Sequence, residues 1–376
     1  MKIKVDKDSI TKCLDIVTKA SPSKAIIPID SCIKLIIKGD TCYACCKSGT
    51  LQIKGQFKVE SKEDFNMCIP SEVLLGTIRL LDEKEINLNY NPKKCILNVS
   101  AKNKRYKITG VNPKDFQAQK VKGDDLRHFK CMAGDVIPYI DRSSNIADWN
   151  GMREQIAGVT LATVTDGKDM YISGVDNGYT IYRAINGVKL EKELGVVIPR
   201  DITMALKDMK GQGEFSAEIG KQSIEITLEG FKFWSPLNNV SKVVTLDSFF
   251  EYDSEKYVVV NKKDIIMGAK RLIKFSSDEH SLMIMDLRDD ELVISAENDN
   301  HGRDGEEILE VKNNGCENLI IGFNINKLLN TLSTVESDQI NIYFTGENKP
   351  IRITKYNGDS KEAWCLAPVA LKVNNG

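Results

Sequence analysis

The residues with the most chemical potential in this chain are its thiols. Ten cysteines stand at 13, 32, 42, 45, 46, 68, 95, 131, 316 and 365, and Cys42-x-x-Cys45-Cys46 has a spacing at which zinc or a redox couple could be held. A structural zinc needs four ligands at close spacing. No second cysteine pair and no His-x-His partner lies near, and the three histidines (128, 280, 301) are scattered. Most of the cysteines sit inside apolar runs such as Met67-Cys68-Ile69 and Cys95-Ile96-Leu97, which reads as reduced, buried, small hydrophobes. The chain also lacks a phosphate-cradling G-x-x-x-x-G-K loop and a recognisable pair of carboxylates. No catalytic residue, metal or cofactor is expected.

What recurs is cationic rather than nucleophilic. Lys263, Lys270 and Lys274 fall at i, i+7, i+11 on one predicted helix, opposite the apolar stripe Ile265, Ile266, Ala269, Leu272 and Ile273. Arg200, Lys207 and Lys210 are left off the stripe Ile202, Ala205, Leu206 and Met209 of another, and Lys12 and Lys19 share the polar side of a third. Overall charge argues nothing by itself: 52 basic and 53 acidic residues give a net charge of −1. Only a segregated basic face could serve a polyanion. Each lysine taken alone is equally well the solvated face of an amphipathic helix; recurrence on three helices favours a shared role.

The elements that carry these residues repeat. Gly195–Leu228 reads as a short strand (Val196–Ile198), a Pro-Arg entry, an amphipathic helix (Asp201–Lys210), a Gly-rich break and two alternating strands. A module of this layout recurs near residues 70 and 323. First strands begin near residues 3, 129 and 257, and the second helices open at Pro70, Pro199 and Asn324. The chain therefore divides into three repeats, 1–125, 126–253 and 254–376, each with two helices and about eight strands. Asp8 or Ser9 is expected to cap the first helix, residues 153–163 to form a strand, and 143–150 a loop. Short helices among many strands predict an α+β fold, helices on one face of antiparallel sheets. With 41% apolar residues each repeat can bury a core. No run of 18 apolar residues exists, so no membrane span is expected, and the charged, alternating N-terminus is not a signal peptide; the cytosol is the expected compartment.

Several segments, in order, resemble the bacterial DNA polymerase III beta subunit family, the sliding clamps. They are Ile27-Pro28-Ile29, Val111-Asn-Pro-Lys-Asp-Phe116, Val175-Asp-Asn-Gly-Tyr-Thr-Ile181, Val197-Ile-Pro-Arg200, Tyr343-Phe-Thr-Gly346 leading to Pro350-Ile351, and Cys365-Leu-Ala-Pro-Val369. The resemblance covers essentially the whole chain. It implies a threefold repeat of a DNA-clamp domain that forms a ring: a head-to-tail homodimer with helices lining the hole and duplex DNA passing through. The replicative DNA polymerase catalytic subunit, a clamp loader and other clamp-motif proteins would be partners, and no chemistry is asked of the clamp itself.

A sliding tether must hold phosphates without reading bases. The residues proposed for that contact are Lys24, Arg153, Arg200, Lys207, Lys210, Lys263, Lys270 and Lys274; the resemblance places Lys24, Arg153 and Arg200 at the family's DNA contacts. It also implies a partner-peptide cleft from Ile156, Val175, Gly178, Tyr179, Thr180, Ile181 and the tail Leu366, Ala367, Pro368, Val369, Ala370 and Leu371, although Ile156 and Ile181 read equally as strand core. The dimer seam would use Ile78 and Tyr106 of one chain against Leu272 and Ile273 of the other, the last two equally able to be core. The sequence departs from the family at Tyr179-Thr180, where His-Arg is common, and at Val369-Ala370. A divergent paralogue from a phage or mobile element, serving a private polymerase or acting as a decoy, is the alternative those departures motivate.

Overall fold

The computed structural model describes residues 1–22, 28–123, 125–164, 167–177, 180–250, 255–277, 281–358 and 361–371. One order of elements appears three times: strand, helix, four strands, helix, three strands. In the first round these are β1 (Lys2–Asp6), α1 (Lys7–Val17), β2 (Cys32–Lys38), β3 (Thr41–Lys47), β4 (Gln52–Lys58), β5 (Phe65–Pro70), α2 (Ser71–Arg79), β6 (Glu85–Asn91), β7 (Ile96–Ala101) and β8 (Lys104–Thr109). The second round runs β9 (Arg127–Met132), α3 (Ile137–Ile146), β10 (Val159–Thr163), β11 (Asp169–Asp176), β12 (Thr180–Lys189), β13 (Gly195–Ile198), α4 (Arg200–Lys207), β14 (Glu214–Ile219), β15 (Ser223–Leu228) and β16 (Phe231–Pro236). The third is β17 (Tyr257–Asn261), α5 (Lys262–Leu272), β18 (Leu282–Arg288), β19 (Glu291–Asn298), β20 (Arg303–Glu310), β21 (Leu319–Asn324), α6 (Ile325–Ser333), β22 (Gln339–Tyr343), β23 (Ile351–Lys355) and β24 (Glu362–Leu366).

Two compact units result, Met1–Ile137 with Asp201–Leu237, and Pro138–Arg200 with Asn238–Gly376. The first unit holds a sheet ordered β1-β6-β7-β8, with Glu60–Ser61 on the outer side of β1, and a sheet ordered β9-β14-β15-β16-β4-β3-β2-β5. In the second unit one sheet is ordered β13-β10-β11-β12-β24-β23-β22-β17, with Lys312–Asn314 beside β17, and the other β20-β19-β18-β21. All named pairings are antiparallel, and the helices bury one stripe each: Ile10, Cys13, Leu14 and Val17 on α1, Ile265, Ala269 and Leu272 on α5.

The structure adjusts several expectations. Asp6, not Asp8 or Ser9, caps α1, accepting from the Ser9 amide at 2.8 Å. The last residue of β1 is already in β conformation, so it serves as the cap and the helix starts two residues earlier. Residues 153–158 are turn, and the strand begins only at Val159. Helix α3 runs on to Ile146 through residues read as loop. Its approach to the sheet is close: a Cβ on Gly174 of β11 would stand 2.1 Å from the Ser143 carbonyl oxygen. Helix α4 ends at Lys207, ahead of Gly211 and Gly213 at φ +66° and +77°, so Lys210 lies outside it.

Candidate functional site

The candidate phosphate contacts sit on or beside helices. Lys263 and Lys270 are exposed on α5, opposite its buried stripe, and Lys274 is exposed just beyond its end. Arg271, their neighbour, is instead held within the chain, its guanidinium donating to both oxygens of Glu307 at 2.7 and 2.6 Å. That pairing holds the Glu307 carboxyl below its usual range. Arg153 is exposed in the turn before β10 and Arg200 at the first position of α4. In the first unit Lys210 is exposed and Lys207 half-buried. The surroundings of α4 are not uniformly basic: Asp201 on the helix accepts from the Thr50 hydroxyl, and Asp208 just beyond its end is paired with Lys19 at 2.7 Å. Lys24 lies outside the described residues.

The expected cleft residues lie in the second unit, and the structure sorts them. Val175 and Ile181 belong to a small apolar cluster on the β10-β11-β12-β24 sheet, with Ala162, Tyr171, Leu246, Phe250, Ala363 and Cys365. The segment 243–250 supplies its upper side, and Val243, Val244, Val164 and Val175 remain half-buried around it. Thr180 and Leu366 are cross-strand partners, each 1% exposed. The Thr180 hydroxyl meets that of Thr331 at 3.3 Å, and Leu366 joins the larger core. Ile156 is buried in its turn, apart from the small cluster. Gly178 and Tyr179 fall outside the described residues. The tail leaves β24 along the edge of β21: the Val369 amide donates to the Gly322 carbonyl at 2.8 Å. A Cβ on Gly322 would meet Leu371 at 2.7 Å, which is why the tail can lie so close. Ala367, Pro368, Val369 and Leu371 are half-buried and Ala370 exposed. Sequence reasoning missed Leu246, Phe250 and the paired Val243-Val244. Their apolar run was visible, but its return onto β11 and β12 is a long-range contact with no local periodicity.

The second unit also holds a buried polar network. Glu362 accepts from Tyr182 at 2.8 Å and meets Arg142 at 3.1 Å and Lys355 at 2.7 Å; Arg142 also reaches Glu336. Burial works against the Arg142 cation, but Glu362, Tyr182 and Glu336 outweigh it and its pKa is raised.

Of the expected seam residues, Ile78 is 0% and Leu272 2% exposed, both filled in by the chain's own cores, and Ile273 packs partly buried beside one. Tyr106 is different, 43% exposed on β8. Strand β8 ends its sheet, and its exposed side chains are Arg105, Tyr106, Lys107 and Thr109. Strand β20 ends another, exposing Arg303 at its start and, along one face, Asp304, Glu306, Ile308 and Glu310. Val73 and Leu80, seven apart on and just after α2, are also exposed.

The thiols divide between the two faces of β3, Cys45 packing with Cys32 and Cys68 on one of them. Cys42 and Cys45 are three apart on β3, so the strand's alternation sends them to opposite faces. Burial pushes the Cys45 thiol up to about 12. Among the described residues no three His, Cys, Asp or Glu side chains are grouped to hold a metal ion, and no helix is long and apolar enough to cross a membrane.

Comparison with known proteins identifies the fold. Residues 1–120 match the family model of the DNA polymerase III beta subunit N-terminal domain, and residues 248–368 that of its C-terminal domain. The beta sliding clamp of Pseudomonas aeruginosa is 21% identical over 383 residues, covering 99% of this chain and 100% of the relative. That of Mycoplasma genitalium is 32% identical over 114 residues, 30% of each. Among solved structures, the DnaN sliding clamp of Pseudomonas aeruginosa bound to griselimycin aligns with a TM-score of 0.89 at 20% identity, covering 99% of this chain and 100% of that one. The beta subunit of Thermotoga maritima aligns at 0.85 with 15% identity, covering 98% and 99%. The chain belongs to the DNA polymerase III beta subunit family, the beta sliding clamps.

Proposed function

We propose that two copies of this chain, each of three repeats bounded at 1–125, 126–253 and 254–376, close head to tail around duplex DNA. The ring slides on the DNA and tethers the replicative polymerase, without catalysis of its own. The observation that carries the closure is a rule of strand pairing. The eighth strand of the second repeat, β16, pairs with the fourth of the first, β4, through Phe233 opposite Ile53. The eighth strand of the third, β24, pairs with the fourth of the second, β12, through Thr180 opposite Leu366. One eighth strand, β8, and one fourth strand, β20, are then left over, each at the edge of its sheet. Applying the rule once more joins β8 of one copy to β20 of the next. The open strands are complementary: Arg105 and Lys107 on one, Asp304, Glu306 and Glu310 on the other. Edge strands left bare invite such pairing, and opposite charge fixes which edges meet.

Phosphate contact falls to Arg153, Arg200, Lys207, Lys210, Lys263, Lys270 and Lys274, with Lys24 a further candidate. Motif peptides of the polymerase catalytic subunit, the clamp loader and other partners dock at the apolar cluster around Val175 and Ile181, bordered by the tail Ala367–Leu371. Griselimycin, the ligand of the solved Pseudomonas aeruginosa clamp, is expected to bind this chain there and is the probe for it. The closure is tested by retention on DNA. Loaded protein should stay on closed circular plasmid through high salt and be lost when the plasmid is cut. Equal loss from both forms refutes encirclement.

A further inference from the structure

The segment 243–250 that covers the apolar cluster carries one 3-10 turn, Asp247–Phe249, and buries Leu246 and Phe250 in that cluster. A buried polar attachment of the segment runs to Arg183 of β12. The guanidinium donates from Nη1 to Asp247 Oδ1 at 2.7 Å, and its carbon lies 4.1 Å from the centre of the Phe250 ring. Both partners of the ion pair are largely buried, the side chains 12% and 20% exposed. A further tie comes from the Cys365 thiol, 3.1 Å from the Phe249 carbonyl oxygen.

The same device occurs in the preceding linker. Segment 111–119 folds back over the outer face of β2, β3 and β5, where Phe116 covers Cys32, Cys45 and Cys68. Its ring lies between two cations, Lys34 Nζ at 5.6 Å and Lys47 Nζ at 5.5 Å, and the Lys34 ammonium donates to the Phe116 carbonyl at 3.0 Å. Each linker between repeats is thus pinned by a phenylalanine set against a cation from the sheet of the repeat it leaves. Aromatic faces attract cations most where water is excluded, and both rings are buried.

We propose that Arg183 is a positioning residue for partner binding: held between Asp247 and the Phe250 ring, it fixes residues 243–250 as one wall of the cleft. It need touch no partner atom, because what it sets is the place of Val243, Val244 and Leu246. Loss of the cation frees the wall, so the bound shape must be regained at each encounter. The proposal rests on the cleft reading above, and its test separates the two.

Amide hydrogen exchange is measured on the full chain for wild type, Arg183→Ala, Arg183→Lys and Phe250→Leu, together with a titration of each with griselimycin. Arg183→Ala and Phe250→Leu should lower protection in 243–250 about tenfold and weaken the ligand about tenfold, with protection of β22 and β23 unchanged. Arg183→Lys, which keeps the charge and some ring contact, should recover both to within about threefold. Unchanged protection in 243–250 overturns the latch, whatever the ligand does. Reduced protection with unchanged affinity leaves Arg183 a merely structural residue and equally overturns the proposal. A wild-type protein that does not bind the ligand refutes the cleft reading, and with it the positioning role, even where the exchange data reveal the latch. If Arg183→Ala proves too unstable, Arg183→Lys and Asp247→Asn carry the same comparison.

Discussion

Tyr106 is where the proposed ring can be broken without touching a fold. Counted from its hairpin, Lys104-Arg105-Tyr106 matches Phe231-Lys232-Phe233 on β16. Phe233, whose strand already has its partner, is 0% exposed, whereas Tyr106 is 43% exposed. A tyrosine presents roughly 200 Å², so pairing would remove about 85 Å² from water, worth about 2 kcal/mol at roughly 25 cal/mol/Å². A two-membered ring has two such seams, and dissociation opens both. Tyr106→Ala should therefore weaken the dimer by about 4 kcal/mol, close to a thousandfold in Kd. The side chain is not part of a core in the separate chain, so the thermal midpoint of dissociated protein should move little. Sedimentation velocity over a concentration series reads the dimer constant, and scanning calorimetry of dissociated protein reads the fold. A dimer weakened less than tenfold would mean that β8 is not at the seam. A large loss of chain stability would mean that Tyr106 is held internally, against its exposure.

Three further outcomes are expected. Arg142→Leu should cost about 3 kcal/mol in urea unfolding, the lower end for breaking a buried pair, because Tyr182 and Lys355 still serve Glu362; a loss under about 1 kcal/mol would show the network to be incidental. Lys207→Glu with Lys270→Glu should impair retention on DNA at unchanged dimer mass, and reduce the salt slope of binding by about 0.9 for each phosphate contact removed; an unchanged slope removes both residues from the DNA face. The Cys13, Cys45 and Cys365 thiols are pushed up to about 12 by burial from an ordinary 9.0. Their folded-state values are raised, so the stability they give is complete below pH ~8.5 and is lost as pH climbs toward 12, by up to about 1.4 kcal/mol per pH unit for each thiol. Urea midpoints that stay level from pH 8 to 10 would contradict that.

Much of the fold was legible because helical and strand periods are local. The stripe Ile265, Ala269, Leu272 and the alternation of β6 and β7 follow from side-chain direction alone, and the repeat follows from their spacing. What was not legible is what a surface does once another element arrives. Leu272 and Ile78 carried the spacing of a stripe and the family position of a seam; the structure assigns their area to the chain's own cores. Residues 153–158 looked strand-like, yet a Cβ on Gly158 would stand 2.5 Å from the Ile198 carbonyl oxygen, a close approach no window of sequence reports. The apolar cluster was half legible: Val175 and Ile181 carried the family motif, whereas the return of 243–250 onto the sheet rests on long-range contacts such as Arg183 with Asp247, 64 residues on.

A chain that builds an interface from two unlike ends needs one end to refuse itself. Two β8 edges brought together would set Arg105 and Lys107 against their own copies, and two β20 edges would do the same with Asp304, Glu306 and Glu310; like charges across a strand pair are unfavourable. Head-to-tail pairing relieves both at once. Heterologous contacts either close or grow into fibres, and in the proposed ring the charge pattern would select the partner edge. Exchanging the charges of both edges together, Arg105→Glu and Lys107→Glu with Glu306→Lys and Glu310→Lys, should therefore restore a dimer that either half-exchange abolishes. A half-exchanged chain that still pairs at wild-type affinity would show that charge does not choose the edge.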